Sequence, residues 1–175
     1  MPVDPRAEES PGATVDPIEA LSRRLGALCL DHDVYVTAAE SCTGGGVAAA
    51  ITDIAGSSAY FETGYVTYAN GAKRRLLGVS AGLLDAHGAV SREVVEAMVG
   101  GACADSGARF GVAVSGVAGP GGGTPAKPVG TVWFAWADGE RTWAECHHLA
   151  GDRQRVRRQA VVIALEGLIA RLSGL

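Results

Sequence analysis

Ser41 and Cys42 are the nucleophile candidates of this chain, and both sit in one short segment, Ala39-Glu40-Ser41-Cys42-Thr43-Gly44-Gly45-Gly46. An apolar run, Val34 to Ala39, leads in, and an Ala-rich run, Val47 to Ile54, leads out. That pattern predicts a buried strand, a tight turn and then a helix running from Thr43 to about Ile54. Ligands of open α/β sheets bind at such carboxyl edges. Glycines let the backbone approach a ligand closely, and the free N–H groups of a helix start attract an anion or a developing oxyanion. A nucleophile and its oxyanion donors therefore fit in one segment. A thiol is intrinsically the better nucleophile, but a cysteine here also reads as a small buried hydrophobe. A serine beside a glycine turn also reads as a helix cap.

A serine nucleophile needs a base. His32, His87, His147 and His148 are not flanked by residues that mark a catalytic turn, so no Ser-His-Asp triad is visible. The chain has two lysines, Lys73 and Lys127. Lys127 lies between prolines in a glycine-rich loop and reads as exposed. Lys73 follows Thr67-Tyr68-Ala69-Asn70-Gly71-Ala72 on a short expected helix, Asn70 to Leu77. By statistics alone that is a solvated helix lysine. Held near the serine and desolvated, it would have a lowered pKa and could take the hydroxyl proton.

Two further segments suit an anion. Ser115-Gly116-Val117-Ala118-Gly119-Pro120-Gly121-Gly122-Gly123-Thr124 follows a second buried strand, Phe110 to Ser115. It matches neither a Walker A loop nor a dinucleotide fingerprint, but such loops expose amides to phosphate. Gly151-Asp152-Arg153-Gln154-Arg155-Val156-Arg157-Arg158-Gln159 opens a long closing helix capped near Asp152. Arg153 and Arg157 share one face, Arg155 and Arg158 another, and a guanidinium clamp suits phosphate or carboxylate. A solvated helix face is the ordinary reading of such a run.

The elements that must position these residues follow from periodicity. Residues 1–16, rich in Pro, Glu, Ser and Gly, read as a disordered tail, and residues 17–175 as one domain. Ile18, Leu21, Leu25 and Leu28 stripe a first helix from Pro17, with Asp16 as its cap. A strand lies within Tyr60 to Ala69. Val79 to Val90 reads mostly as connection. Ser91 caps a helix that turns Val94, Val95, Met98 and Val99 inward. Val129 to Ala137 and Thr142 to His148 form a hairpin at Asp138-Gly139. The order α-β-α-β-α-α-β-β-β-α predicts an α/β/α sandwich with a mixed sheet.

Bulk composition sets limits. The chain has 175 residues, 47% hydrophobic and 19% charged, which is ordinary for a soluble globular domain. A net charge of −4 argues against a general nucleic-acid binder. The four cysteines, Cys29, Cys42, Cys103 and Cys146, form no C-x-x-C pair and read as reduced, which favours the cytoplasm. No apolar run is long enough to span a bilayer, and the acidic, Pro-containing N-terminus does not read as a signal peptide.

Together these segments resemble the C-terminal domain of the CinA (competence/damage-inducible) family. The carrying motifs are Ala39-Glu40-Ser41-Cys42-Thr43-Gly44-Gly45, Ile51-Thr52-Asp53-Ile54-Ala55-Gly56-Ser57-Ser58 and Val66-Thr67-Tyr68-Ala69-Asn70 with Lys73. His87-Gly88-Ala89-Val90-Ser91, Ser115-Gly116-Val117-Ala118-Gly119-Pro120 and Lys127-Pro128-Val129-Gly130-Thr131-Val132-Trp133 follow. Gly151-Asp152-Arg153 with Val156-Arg157-Arg158-Gln159 completes the set, in family order over roughly Pro17 to Leu172. The resemblance implies a three-layer α/β/α sandwich with a mixed, mostly parallel sheet. It also implies hydrolysis of the carboxamide of nicotinamide mononucleotide by a serine and a lysine, here Ser41 and Lys73, in pyridine-nucleotide salvage. It implies no metal or cofactor, a cytoplasmic homodimer, and no nucleic-acid or membrane partner. Thr43, Gly44, Gly45 and Gly46 are expected at the oxyanion. Tyr68, Ser115, Gly116, Gly119 and Arg153 are expected around the substrate. Family members often carry an N-terminal domain related to molybdopterin-binding proteins; no counterpart is recognised here, and its activities are not carried over. The alternatives are a non-catalytic interaction module and an amidohydrolase acting on another nucleotide amide.

Overall fold

The computed structural model describes residues 14–139 and 141–175. The expectation of a disordered tail falls, for residues 1–13, outside the described residues. Asp16, the last residue of that expected tail, has a defined role. Its carboxylate accepts the Ile18 amide at 2.9 Å and so caps helix α1, Pro17–His32. It also accepts Arg158 at 2.7 Å, tying the start of α1 to the closing helix.

Strand β1, Val36–Glu40, is buried along its whole length. It pairs in parallel with β2, Phe61–Val66, and with β3, Phe110–Gly116. Strand β4, Thr131–Asp138, runs antiparallel to β3, and β5, Arg141–His148, runs antiparallel to β4. The sheet order is β2-β1-β3-β4-β5, with β4 alone reversed in direction. Asp138 pairs with Arg141 in the expected hairpin, and Gly139 at its turn has φ +57°.

Helices α2 (Gly46–Thr52), α3 (Asn70–Leu77), α4 (Ala81–His87), α5 (Arg92–Ser106) and α6 (Arg153–Leu172) complete the sandwich. One core joins α1, α2 and α6 to Val112, Val114, Phe134 and Trp136 of the sheet. The other joins α3, α4 and α5 to Ala39, Ala113, Ala135 and Ala137. The strands alternate large and small residues, as their two-residue period requires. Bulky side chains fill the α6 side, and alanines let α5 approach closely on the other.

Helix α4 occupies what reads in the sequence as connection. Its signals are short: Ser80 accepts the Leu83 amide as a cap, and only Leu84 of its seven residues is buried. Two adjacent apolar residues, Leu83 and Leu84, leave no periodicity to detect.

Two glycines give opposite expectations. Trp136 is fully buried and donates its indole N–H to Ala164 O at 3.0 Å. A Cβ at Gly167 would overlap that indole. Overpacking of this kind costs about 1–3 kcal/mol, more than the roughly 1 kcal/mol of helix propensity that alanine contributes. Gly167→Ala is therefore expected to lower the melting temperature by several degrees. Gly100 in α5 is exposed with open space around it, so Gly100→Ala is expected to raise it. Thermal unfolding followed by circular dichroism reads both, and a rise in Gly167→Ala would refute the packing account.

Candidate active site

Strand β1 delivers Ser41 to the carboxyl edge of the sheet between two parallel neighbours. The Ser41 amide donates to Val114 O at 2.9 Å and continues the β1–β3 ladder by one residue. The chain then turns. Gly44 N donates to Ser41 O at 3.1 Å and Gly46 N to Thr43 O at 3.0 Å. Gly44 and Gly45 have φ of +59° and +100°, a region side chains rarely adopt, so the right-handed helix starts only after them. Helix α2 therefore begins at Gly46 rather than at Thr43.

Of the four residues expected at the oxyanion, Gly44 and Gly46 donate their amides within the turn. Thr43 and Gly46 line a larger groove, about 630 Å³, among α1, α2 and α6. Gly45 packs toward Val66, and a Cβ there would lie 3.5 Å from its side chain. The next two amides, Val47 N and Ala48 N, donate to the Glu40 carboxylate at 2.8 and 3.0 Å. The helix start thus already holds an anion, and it belongs to the protein.

Lys73 sits one turn into α3 and is 1% exposed. Its Nζ lies 2.9 Å from Ser41 Oγ, 2.8 Å from Thr67 O and 3.3 Å from Tyr68 O. Burial lowers its pKa from the ordinary 10.5, an effect that the neighbouring Cys42 partly offsets. Two backbone carbonyls and the Ser41 hydroxyl oxygen thus surround Nζ. Cys42, though adjacent, is 5% exposed, and burial pushes its thiol up to about 11. It stays protonated near neutrality and is a poor nucleophile.

Ser41 and Lys73 open into a cleft of about 290 Å³. Tyr68, Asn70, Ser115, Gly116, Gly119, Gly121, Gly122 and Arg153 line it. Arg153 bridges the rim: one nitrogen donates to Gly119 O at 2.9 Å and another to the Tyr68 hydroxyl at 3.0 Å. Lys127 anchors the glycine-rich loop from outside by donating to His87 O at 2.7 Å. None of the four histidines lines the cleft. His87 lies against Glu93, and His147 against Glu145 and the Phe134 ring. The four cysteines are free.

The arginine run divides by partner rather than by face alone. Arg153 reaches the cleft. Arg157 instead donates to Cys42 O at 3.1 Å and Thr43 O at 3.2 Å, clamping the nucleophile turn from behind. Arg158 pairs with Asp16. Two residues at or behind the site, Asn70 and Glu40, carry no functional expectation from the sequence; a carboxylate ending a buried strand is the available signal for Glu40. Arg157, grouped with Arg153 as a clamp for an anion, binds backbone carbonyls instead, and four arginines in six residues give no sign of which does so.

Among the described residues no group of three or more His, Cys, Asp or Glu is gathered as a metal site. No described helix is long and apolar enough to cross a membrane. What the cleft presents is a hydroxyl against a desolvated amine.

The CinA C-terminal domain model matches residues 18–172. The nicotinamide-nucleotide amidohydrolase PncC of Pseudomonas putida is 62% identical over 155 residues, covering 89% of this chain and 97% of that protein. A putative competence-damage inducible protein of Symbiobacterium thermophilum is 55% identical over 156 residues, 84% of this chain but 37% of its own length. The crystal structure of competence/damage inducible protein CihA from Agrobacterium tumefaciens superposes with a TM-score of 0.87 at 44% identity, covering 93% and 99% of the two chains. With the fold, the ordered motifs and nearly the whole domain matched, the chain belongs to the CinA C-terminal domain family.

Proposed function

We propose that this chain hydrolyses the carboxamide of nicotinamide mononucleotide to nicotinate mononucleotide and ammonia, with Ser41 as nucleophile and Lys73 as base. The observation that carries this reading is the 2.9 Å contact of Lys73 Nζ with Ser41 Oγ at the cleft. The name of the Pseudomonas putida relative supports the choice of amide.

Lys73 takes the hydroxyl proton as Ser41 Oγ bonds to the carboxamide carbon. The tetrahedral intermediate collapses when Lys73 returns that proton to the amide nitrogen. Ammonia leaves, and an ester to Ser41 remains. A water, deprotonated by Lys73, then attacks the ester; the C–O bond to Ser41 breaks, the acid leaves, and Lys73 returns the proton to Ser41 Oγ. The pyridinium ring withdraws electrons from the carbonyl and eases both attacks. The exposed Tyr68 ring suits the face of that cationic ring. With the Gly44 and Gly46 amides engaged elsewhere, the oxyanion and 5′-phosphate fall to cleft-lining backbone at Cys42 and along Gly119 to Gly122, with Arg153 at the rim.

A coupled assay of ammonia release tests this, with free nicotinamide and glutamine as comparison substrates. Turnover of the mononucleotide with both others spared is the expected result. Equal turnover of free nicotinamide would remove the nucleotide from the reading. Absence of ammonia from all three would end it.

A further inference from the structure

Glu40 immediately precedes Ser41, and its carboxylate is 1% exposed. Oε1 accepts the Val47 amide and Oε2 the Ala48 amide, so one side chain spans the whole turn from the end of β1 to the start of α2. Its main-chain carbonyl accepts the Thr67 amide at 2.8 Å. Thr67 and Tyr68 are the residues whose carbonyls hold Lys73 Nζ. Among the described residues no cation pairs with Glu40. A buried carboxylate satisfied by backbone alone is a costly way to cap a seven-residue helix, for which Ser, Thr or Asp at the cap position suffices. What a shorter cap cannot do is reach across a turn that contains two left-handed glycines. Without that tie, Ser41 keeps its own ladder bond to Val114 O, but the turn after it is held only by two i→i+3 hydrogen bonds and the Arg157 clamp.

We propose that Glu40 is a positioning residue: its side chain fixes the turn bearing Ser41, its main chain fixes the loop holding Lys73, and together they keep Oγ and Nζ in contact. The inference rests on the Ser41–Lys73 reading. A misplacement of about 1 Å at such a contact slows chemistry on the order of 100-fold. In Glu40→Gln one amide N–H keeps its acceptor, while the other faces the new NH₂, donor against donor.

Methanesulfonyl fluoride separates the possibilities, because it is small and needs no nucleotide subsite. Ser41 Oγ bonds to sulfur, fluoride leaves and Lys73 takes the proton. The rate of mass gain, mapped to Ser41 by peptide analysis, reads nucleophile activation in the folded protein. Glu40→Gln is expected to label about 30- to 100-fold more slowly than wild type. In turnover of nicotinamide mononucleotide, kcat is expected to fall by a similar factor with KM unchanged. Glu40→Asp, one methylene shorter but still anionic, is expected to fall between the two. Equal labelling of wild type and folded Glu40→Gln overturns the proposal, as does a slowing no larger than the loss of folded protein by circular dichroism. If Glu40→Gln does not fold, a wild-type labelling rate in Glu40→Asp overturns it. An unlabelled wild-type Ser41 overturns the nucleophile assignment itself, a separate failure from either.

Discussion

Ser41→Ala is expected to lose ammonia release from nicotinamide mononucleotide by about 10⁴-fold or more, with the fold retained. The side chain is small and 8% exposed, and its one hydrogen-bond partner among the described residues is Lys73. Its removal deletes the covalent route and little packing. Lys73→Ala is expected to cost about 10²- to 10⁴-fold, the range for losing a positioned general base. The two act as a unit, so the double variant is expected to be scarcely slower than Ser41→Ala alone. Lys73→Arg is expected to be inactive, since a guanidinium does not give up its proton in a protein and cannot act as the base. Cys42→Ala is expected to stay within a few-fold of wild type, because the protonated thiol has no chemical part. Steady-state ammonia release checks all five, with circular dichroism as the folding control. Wild-type rates in Ser41→Ala, or loss of activity in a folded Cys42→Ala, would move the nucleophile away from Ser41.

The second large effect is on pH. Catalysis needs the neutral amine, and burial lowers the Lys73 pKa below 10.5. The expected kcat rises with pH with a log–log slope near one and levels off below pH 10.5. The same shift appears in stability. A cationic group with a depressed folded pKa binds fewer protons folded than unfolded, between that pKa and 10.5. Stability therefore rises with pH in that window, by at most about 1.4 kcal/mol per pH unit, and levels off below the folded pKa. Buried thiols oppose this at higher pH. Cys42 and Cys103 are raised from 9.0 to about 11, so unfolding releases protons above pH 9 and stability falls there. Denaturant unfolding should therefore be compared between wild type and Lys73→Met below pH 9. A wild-type slope that is absent in Lys73→Met is the expected result. Parallel curves, or a kcat that rises only near pH 10.5, would mean that Lys73 is cationic at neutral pH and is not the base.

Much of this architecture is readable along the chain because its signals are local. Asp16 with Pro17, Ser91 with Val94, and Asp152 ahead of Arg153 are caps adjacent to the helices they start. Strand β1, buried throughout, and β3, buried up to Ser115, read as mostly apolar runs. The late hairpin is marked by Asp138-Gly139. Where local signals conflict or fall short, the reading slips. The glycines that suggest an anion-binding helix start are the residues that delay it, and α4 has too little buried surface to leave a pattern.

What the sequence by itself determined was the elements other than α4, their order, the family, and a short list of groups able to act: Ser41, Cys42 and two lysines. What only the tertiary structure decided was which of them meet. Lys73 on an isolated helix is a solvated cation. It becomes a desolvated amine only where α3, packed on α5, brings it to Ser41 at the end of β1, 32 residues away in sequence. Glu40 and Arg157 likewise acquire their parts from amides and carbonyls beyond their own segments. Desolvation and hydrogen-bond geometry are properties of neighbours in space. The spacing of residues along a chain names the groups, and packing sets their protonation and their aim.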